Sequence, residues 1–192
     1  MPWLQQTDTL GNQHHICAQA LDSSCLAAST AMVCRALGKQ TDEAAARTAI
    51  AKYETTSVPT WSHDEAVKYI WGESGTYLTS AAQALSDMGI KSAYTWKTQG
   101  SVDKLKKYMR ACSPSKPGIT RIEWNGGGGH FVVVCGIVND INVLILDPYN
   151  GLQEISFLAL PAYVAFASIH GYDAPGAASR GSFDAWGIVT TN

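Results

Sequence analysis

The sequence has few charged residues, no basic block and no apolar run long enough to cross a membrane. Asp, Glu, Lys and Arg make up 16% of the 192 residues, and the formal net charge is −2. Without a cluster of positive charge, the chain is not expected to bind nucleic acid or an anionic membrane surface. A helix that spans a bilayer needs about 20 apolar residues in succession, and the sequence has no such stretch. We therefore expect a soluble protein whose partner is neither nucleic acid nor a membrane.

The cysteines lack the spacing of a disulfide scaffold or a zinc knuckle. Their number, five, is odd, and none forms a C-x-x-C pair, which is typical of free thiols in a reducing compartment. His14 and His15 lie near Cys17, but a neighbouring pair this close to a terminus is expected to be exposed, so we predict no metal site and no cofactor. The first residues also lack the charged start and apolar core of a secretory signal. These absences favour action in a cytosol, either that of the producing cell or that of a cell into which the protein is delivered.

The hydrophobic pattern divides the chain into a helical first part and a second part of short strands. Helical spacing of apolar residues occurs at 25–37, 41–53, around 64–71, at 79–89 and at 101–112. Short apolar runs between turns predict strands at 119–124, 130–138, 143–147, 152–157 and 185–191. Thr41 is the predicted cap of the second helix. Helices followed by strands predict an α+β fold, with an antiparallel sheet and a cleft between the two parts, in a single domain over residues 1–192.

Cys25 stands at the predicted start of the first helix. It follows Asp22, Ser23 and Ser24, which are all residues that favour the N-cap position. A thiol in the first turn faces the positive end of the helix dipole, which lowers its pKa and raises the fraction of reactive thiolate. The apolar and small residues that follow predict a buried helix that holds this thiol rigidly. Free cysteines are more often inert core residues, as we expect for Cys34, so position alone leaves both interpretations of Cys25 open.

A predicted hairpin supplies partners for such a thiol. His130 stands where four glycines lead into an apolar strand, and Asp147 ends the next strand. Asn139 and Asp140 are predicted to form the turn between them. Antiparallel pairing then sets Asp147 opposite Val132, one diagonal step from His130 on the same face. Diagonal neighbours are about 7–8 Å apart, within reach of a carboxylate and an imidazole, so Asp147 would orient the ring while its other nitrogen faces a nucleophile.

Two segments together resemble a known family. The segment that begins at Gln19 reads Q-x-x-x-x-S-C-x-A-x-S, which resembles the active-site segment of papain-like cysteine proteases. The segment 129–151, GHFVVVCGIVNDINVLILDPYNG, resembles the histidine and aspartate segment of the C39-like branch, the bacterial double-glycine peptidases, in which Asp followed by Pro takes the place of papain's Asn. The resemblance implies a papain-like fold, in which the helical half carries the nucleophile and packs on the sheet. It implies Cys25 as nucleophile, His130 as general base and acid, Asp147 as orienting residue and Gln19 as oxyanion donor.

The resemblance also implies a reaction and a substrate class. The Cys25 thiolate attacks a peptide carbonyl, the oxyanion is held by Gln19 and the Cys25 N–H, and His130 protonates the leaving amine. Enzymes of this branch cleave after Gly-Gly, so the implied partner is a protein or peptide that is glycine-rich at the cleavage site. Related domains act as bacterial effectors or toxins, with an immunity protein as a further partner. The glycines 126–129 either let a substrate backbone approach closely or form a flexible loop, and Trp124 beside them either lines the cleft or packs in the core.

Two departures separate the chain from secreted papains. Leu26 stands where many papain-like enzymes have Trp, and Asp22 stands where secreted papains have a disulfide cysteine. Three other functions also stay open: a Cys-His-Asp acyltransferase, a cell-wall peptide amidase, and a C39-like domain that binds a peptide without cleaving it. The presence of both Gln19 and Cys25 argues against the last of these, because binding alone needs neither an oxyanion donor nor a thiolate.

Overall fold

Four helices lie in the described part of the chain, which in the computed structural model comprises residues 3–21, 23–54, 77–95, 102–160, 163–164 and 180–191. The helices are α1 (Cys25–Ala36), α2 (Glu43–Glu54), α3 (Leu78–Asp87) and α4 (Val102–Arg110). The predicted helix around 64–71 and the candidate cap Asp22 lie outside the described residues. Within the described ranges, no helix combines the length and the apolar character needed to cross a membrane.

The strands form one large antiparallel sheet and a separate hairpin. The hairpin pairs β1 (Trp3–Thr7) with β2 (Gln13–Cys17). The large sheet contains β3 (Ser92–Thr95), β4 (Gly118–Trp124), β5 (Gly129–Val138), β6 (Asn142–Asp147), β7 (Gly151–Ser156), β8 (Tyr163–Val164) and β9 (Arg180–Thr190). Its order is β3-β9-β4-β5-β6-β7, with β8 also paired to β9. Helices and an antiparallel sheet in this arrangement confirm the predicted α+β class.

Helix α1 is enclosed along most of its length. Ten consecutive residues, from Cys25 to Cys34, are buried. The buried hydroxyl groups of this helix are hydrogen-bonded. Ser29 Oγ donates to the Phe131 carbonyl of β5 at 3.0 Å, and Thr30 Oγ1 donates to the Leu26 carbonyl within α1 at 2.8 Å. Full burial of an aliphatic side chain such as Leu26 contributes about 1.5–3 kcal/mol to folding. This packing fixes the start of α1 against the sheet.

The β5–β6 hairpin reaches its predicted register through two irregularities that cancel. Residues 139 and 140 form the turn, with φ values of 53° and 57°, but Ile141 is an additional residue before β6 begins. A bulge at 134–136 adds one residue to β5 in compensation. Beyond the bulge Val133 pairs with Leu146. The end of β6 therefore lies beside the start of β5 in the register that the sequence predicted.

The cap of α2 differs from the prediction by one residue. Asp42 Oδ1 accepts a hydrogen bond from the backbone N–H of Ala45 at 2.8 Å. Asp42 is therefore the N-cap, and the prediction of Thr41 was wrong. Asp and Thr are both favourable in this position, so two adjacent candidates could not be distinguished from composition alone.

The N-terminal hairpin was not predicted, and it changes the environment of His14. Asp8 Oδ1 accepts hydrogen bonds from the backbone N–H groups of Leu10 and Asn12 at 2.9 and 2.8 Å, which closes the β1–β2 turn. His14 Nε2 lies 2.9 Å from Asp8 Oδ2, and both side chains are buried. The expectation that His14 is exposed was wrong, because this turn draws the imidazole inward to its carboxylate.

Candidate active site

Cys25 is the first residue of α1, as predicted, and is 6% exposed. Ser24 occupies the N-cap position, but its hydroxyl donates to the Leu21 carbonyl at 2.9 Å instead of capping the helix. The first N–H groups of an α-helix have no partner within the helix and carry partial positive charge. The thiol and its own backbone N–H therefore lie at a terminus suited to stabilising negative charge.

Gln19 lies in the loop that leads to this helix and is 1% exposed. Its Nε2 donates to the Leu21 carbonyl at 2.8 Å, and the backbone N–H of Ser24 donates to the same carbonyl at 3.0 Å. The backbone N–H of Gln19 also donates to the Pro148 carbonyl at 3.4 Å. These bonds hold Gln19 near Cys25 on one side and near the end of β6 on the other.

His130 and Asp147 form a buried hydrogen-bonded pair. His130 Nε2 donates to Asp147 Oδ1 at 2.8 Å, and the side chains are 1% and 0% exposed. The Cys25 thiol lies close enough to the imidazole to raise its pKa. Because Nε2 contacts the carboxylate, Nδ1 is the ring nitrogen that is left for the thiol. The structure thus brings the three predicted residues together, with Gln19 in the loop before Cys25.

The charges in this path favour a protonated imidazole. Burial by itself lowers the pKa of His130, but the Asp147 carboxylate and the Cys25 thiol outweigh it and raise the pKa to about 10. A protonated ring next to a thiol stabilises the thiolate. The arrangement can therefore keep the imidazole protonated at neutral pH.

Two aromatic side chains hold the imidazole in place. The ring of Tyr149 stacks on His130 with centroids 4.7 Å apart and an interplanar angle of 23°, and the ring of Trp124 does so at 5.6 Å and 14°. Stacking restricts rotation of the imidazole and shields its bond to Asp147 from water. Trp124 was predicted either to line the cleft or to pack in the core, whereas Tyr149 was not predicted to take part in the site.

The turn after β6 orients the aspartate. The backbone N–H of Tyr149 donates to Asp147 Oδ1 at 2.7 Å, and Asn150 Nδ2 donates to Asp147 Oδ2 at 3.1 Å. Sequence reasoning did not single out Asn150. The order Asp-Pro-x-Asn at a strand end indicates such a turn, because an Asp side chain commonly accepts a hydrogen bond from the backbone two residues later.

The remaining cysteines lie in the core. All five thiols are free and buried. Burial raises the pKa values of Cys17, Cys34 and Cys112 to about 12, and it raises that of Cys135 further. Thiols that stay protonated are poor nucleophiles. Their burial agrees with the core role expected of Cys34.

The glycines before His130 form the β4–β5 turn. Gly127 and Gly128 have φ values of +93° and +81°, which other residue types rarely adopt. The backbone N–H of Gly127 donates to the Trp124 carbonyl at 3.1 Å. A Cβ atom added at Gly126, Gly127 or Gly128 would meet no heavy atom within 4 Å. The positive φ values thus suffice to explain glycine at positions 127 and 128.

The sequence model of the Peptidase_C39 like family matches residues 1–168. The chain belongs to this family. Its members are cysteine peptidases, and the chain is a papain-like cysteine protease of the C39-like branch, as the resemblance in the sequence implied. A search of curated proteins gave no match.

Two solved structures resemble this C39-like peptidase. One is a double glycine motif protease from an AMS/PCAT transporter in complex with its leader peptide, at 21% identity and a TM-score of 0.52, covering 92% of this chain and 91% of the other. The second is the peptidase domain of Streptococcus ComA, a bifunctional ABC transporter of a quorum-sensing pathway, at 15% identity and a TM-score of 0.57, covering 92% of this chain and 98% of the other. At these identities the similarity establishes the fold of the C39-like peptidase.

Proposed function

We propose that this peptidase is an endopeptidase that cleaves a protein substrate with a Cys25-His130-Asp147 triad and Gln19 in the oxyanion hole. The observation that carries the proposal is the buried hydrogen bond from His130 to Asp147, with the Cys25 thiol on the side of the imidazole that raises its pKa. The nucleophile lies at a helix N-terminus, the base lies beside it, and a carboxylate orients the base, which is the division of roles in a catalytic triad. The proposal assigns residues 1–192 to one catalytic domain.

The reaction begins with attack of the Cys25 sulfur on a peptide carbonyl carbon. The carbonyl oxygen becomes an oxyanion, and the His130 imidazolium gives its proton to the departing amine as the C–N bond breaks. The product is a thioester on Cys25. His130, now neutral, removes a proton from water, which attacks the thioester and releases the carboxylate and the sulfur.

The oxyanion has two proposed donors. One is the backbone N–H of Cys25 at the start of α1, and the other is an N–H of Gln19 Nε2, whose amide carries two hydrogens while the Leu21 carbonyl accepts one of them. Removal of one oxyanion donor typically lowers kcat by about 10²–10³-fold. Gln19→Ala should therefore cause a large fall in kcat without loss of the nucleophile.

We propose that the cleavage site is glycine-rich, with cleavage after Gly-Gly. Cys25 and His130 are 6% and 1% exposed, and the large rings of Trp124 and Tyr149 occupy the space around the imidazole. A substrate segment without side chains reaches a thiol in such surroundings at least steric cost. The relative with a bound leader peptide is a double glycine motif protease, which supports the same preference here.

The test compares the purified protein with Cys25→Ala on peptides that differ at the cleavage site. Peptides with Gly-Gly are matched with otherwise identical Ala-Ala and Leu-Leu peptides, and products are identified by mass spectrometry. We expect cleavage that depends on Cys25 and is fastest after Gly-Gly. Equal cleavage of all three peptides would contradict the specificity but not the protease. Cleavage that persists in Cys25→Ala would contradict the triad.

The biological setting that we propose is that of a bacterial effector or toxin with a dedicated immunity protein. It rests on the sequence resemblance alone. Expression in a bacterial cytosol, with Cys25→Ala as the control, tests it directly. Toxicity that requires Cys25 supports the effector role, and normal growth at the same protein level contradicts it.

A further inference from the structure

A buried carboxylate lies outside the residues assigned so far. Glu43 is the first residue of α2 and is 1% exposed. Carboxylates are rarely buried this completely unless their oxygens are hydrogen-bonded. Its Oε2 accepts a hydrogen bond from the backbone N–H of Ala20 at 2.9 Å, and its Oε1 lies 3.6 Å from Arg47 one helical turn later.

The carboxylate holds one end of the loop that leads to Cys25 and lies near the other. Ala20, whose N–H donates to Glu43, directly follows Gln19, and Ser24, whose hydroxyl lowers the pKa of the Glu43 carboxyl group, directly precedes Cys25. The loop is also braced internally, because the Leu21 N–H donates to Ser24 Oγ at 3.1 Å and the Leu21 carbonyl accepts from Gln19 Nε2. The two proposed oxyanion donors therefore sit on either side of a segment that Glu43 attaches to α2.

Resting on the function proposed above, we propose that Glu43 is a positioning residue that sets the two oxyanion donors, the Gln19 amide and the Cys25 N–H, at their working separation. Oxyanion stabilisation requires donors about 2.7–3.1 Å from the developing charge. A displacement of about 1 Å in such a site lowers the rate by about 100-fold. Without the hydrogen bond to Glu43, the loop that carries Gln19 would move by more than this distance.

The electrostatics of Glu43 agree with a hydrogen-bonding role. Burial raises the pKa of its carboxyl group, while the Ser24 hydroxyl, Arg47 and the Ala20 N–H act in the opposite direction. A glutamine retains one acceptor oxygen for the Ala20 N–H, whereas an alanine retains none. The two substitutions at this position should therefore differ in severity.

The chain provides a matched control in Glu54. This carboxylate belongs to the same helix and is 6% exposed, and its Oε1 accepts the backbone N–H of Tyr77 at 2.9 Å. Its hydrogen bond to Tyr77 leads to the start of α3, away from the loop before Cys25. Glu54→Ala and Glu54→Gln report the effect of removing a buried carboxylate from α2 without altering the oxyanion donors.

The experiment measures two reactions of Cys25 in each variant. Hydrolysis of a Gly-Gly peptide requires the oxyanion hole, whereas alkylation by iodoacetamide displaces iodide at a saturated carbon and forms no oxyanion. We expect Glu43→Ala to lower kcat by about 100-fold and Glu43→Gln by about tenfold or less, with KM and the alkylation rate constant within about twofold of wild type. The Glu54 variants should leave the ratio of kcat to the alkylation rate constant unchanged.

Each outcome decides the proposal. If Glu43→Ala does not fold, as judged by circular dichroism, the result rests on Glu43→Gln, for which a fall in kcat of threefold or more at constant alkylation rate supports positioning. Unchanged kcat in the folded Glu43 variants overturns the proposal. A parallel fall in kcat and in the alkylation rate constant also overturns it, because it indicates a general structural role.

The wild-type protein distinguishes failure of this proposal from failure of the proposed function. If wild type shows no hydrolysis that depends on Cys25, both fail. If wild type is active and the Glu43 variants are fully active, only the role of Glu43 is overturned.

Discussion

Two buried histidine–aspartate pairs lie in different regions of the molecule and have nearly the same geometry. His14 Nε2 is 2.9 Å from Asp8 Oδ2 in the N-terminal hairpin, and His130 Nε2 is 2.8 Å from Asp147 Oδ1 at the end of the large sheet. None of the four side chains is more than 6% exposed. Distance and burial therefore do not distinguish a catalytic pair from a structural one.

The neighbours of the two pairs are what differ. Burial alone would raise the pKa of Asp8, but hydrogen bonds from His14, Asn12 and Leu10 lower it to about 2, and these bonds close a turn. The second pair has the Cys25 thiol of a helix N-terminus beside it, and this thiol contributes to the raised pKa of His130. A His–Asp pair thus becomes a candidate for catalysis when a nucleophile lies beside the imidazole.

The largest expected effect separates the two histidines. His130→Ala should lower kcat by about 10⁴-fold or more, because it removes the group that we propose activates the thiol and protonates the leaving amine. His14→Ala should leave kcat of the folded protein within about threefold of the wild-type value. It should lower the free energy of unfolding by about 3 kcal/mol, because it removes the imidazole that pairs with the buried Asp8 carboxylate. Steady-state kinetics and urea unfolding measure these effects. A loss of activity in folded His14→Ala as large as that in His130→Ala would break the distinction.

The next effect concerns pH and the charge of Asp147. With the pKa of His130 at about 10, the imidazolium should persist through neutral pH, and activity should fall as pH rises through about 10. Asp147→Asn keeps an acceptor for Nε2 but removes the charge that raises this pKa, so the alkaline limb should move to lower pH. We expect kcat at neutral pH to fall by about 10- to 100-fold. A pH–rate profile identical to that of wild type would argue that Asp147 does not act through the charge of His130.

The corresponding change in the hairpin should affect stability instead. The pKa of Asp8 is about 2 in the folded protein, below its usual value of 3.8, so its ionised form stabilises the fold above pH 4, and this contribution is lost as pH falls through 2. The shift corresponds to about 2 kcal/mol. Asp8→Asn should remove this part of the acid sensitivity, as measured by urea unfolding between pH 2 and 6, and leave the pH–rate profile unchanged. An unaltered dependence of stability on acid would contradict the low pKa.

The smallest effect separates the two asparagines that contact the aspartates. Asn150 Nδ2 is 3.1 Å from Asp147 Oδ2, and Asn12 Nδ2 is 3.0 Å from Asp8 Oδ2. Removal of one such hydrogen bond costs about 1 kcal/mol. Asn150→Ala should lower kcat about threefold to fivefold, whereas Asn12→Ala should alter only the unfolding free energy. Equal kcat in both variants would mean that the turn orients Asp147 without Asn150.

Much of the fold follows from local patterns. Each predicted helix and strand within the described ranges has a counterpart in the structure, including the helix that begins at Cys25. The predicted β5–β6 register also holds near Asp147, although through a bulge at 134–136 and the extra residue Ile141. The hairpin of β1 and β2 was missed, since its five-residue strands carry polar residues such as Gln5 and Gln6 and have little apolar alternation.

Periodicity, capping residues and turn residues act over a few positions, which is why the start of a buried helix at Cys25 and the neighbouring strand ends of His130 and Asp147 can be read from the amino acids alone. What surrounds these residues depends on tertiary packing. The contact of Gln19 with Pro148 and that of Glu43 with Ala20 each join segments that are far apart in the chain. Such contacts depend on how whole elements pack, which no local pattern encodes, and they surround Cys25, which is buried like the other four cysteines.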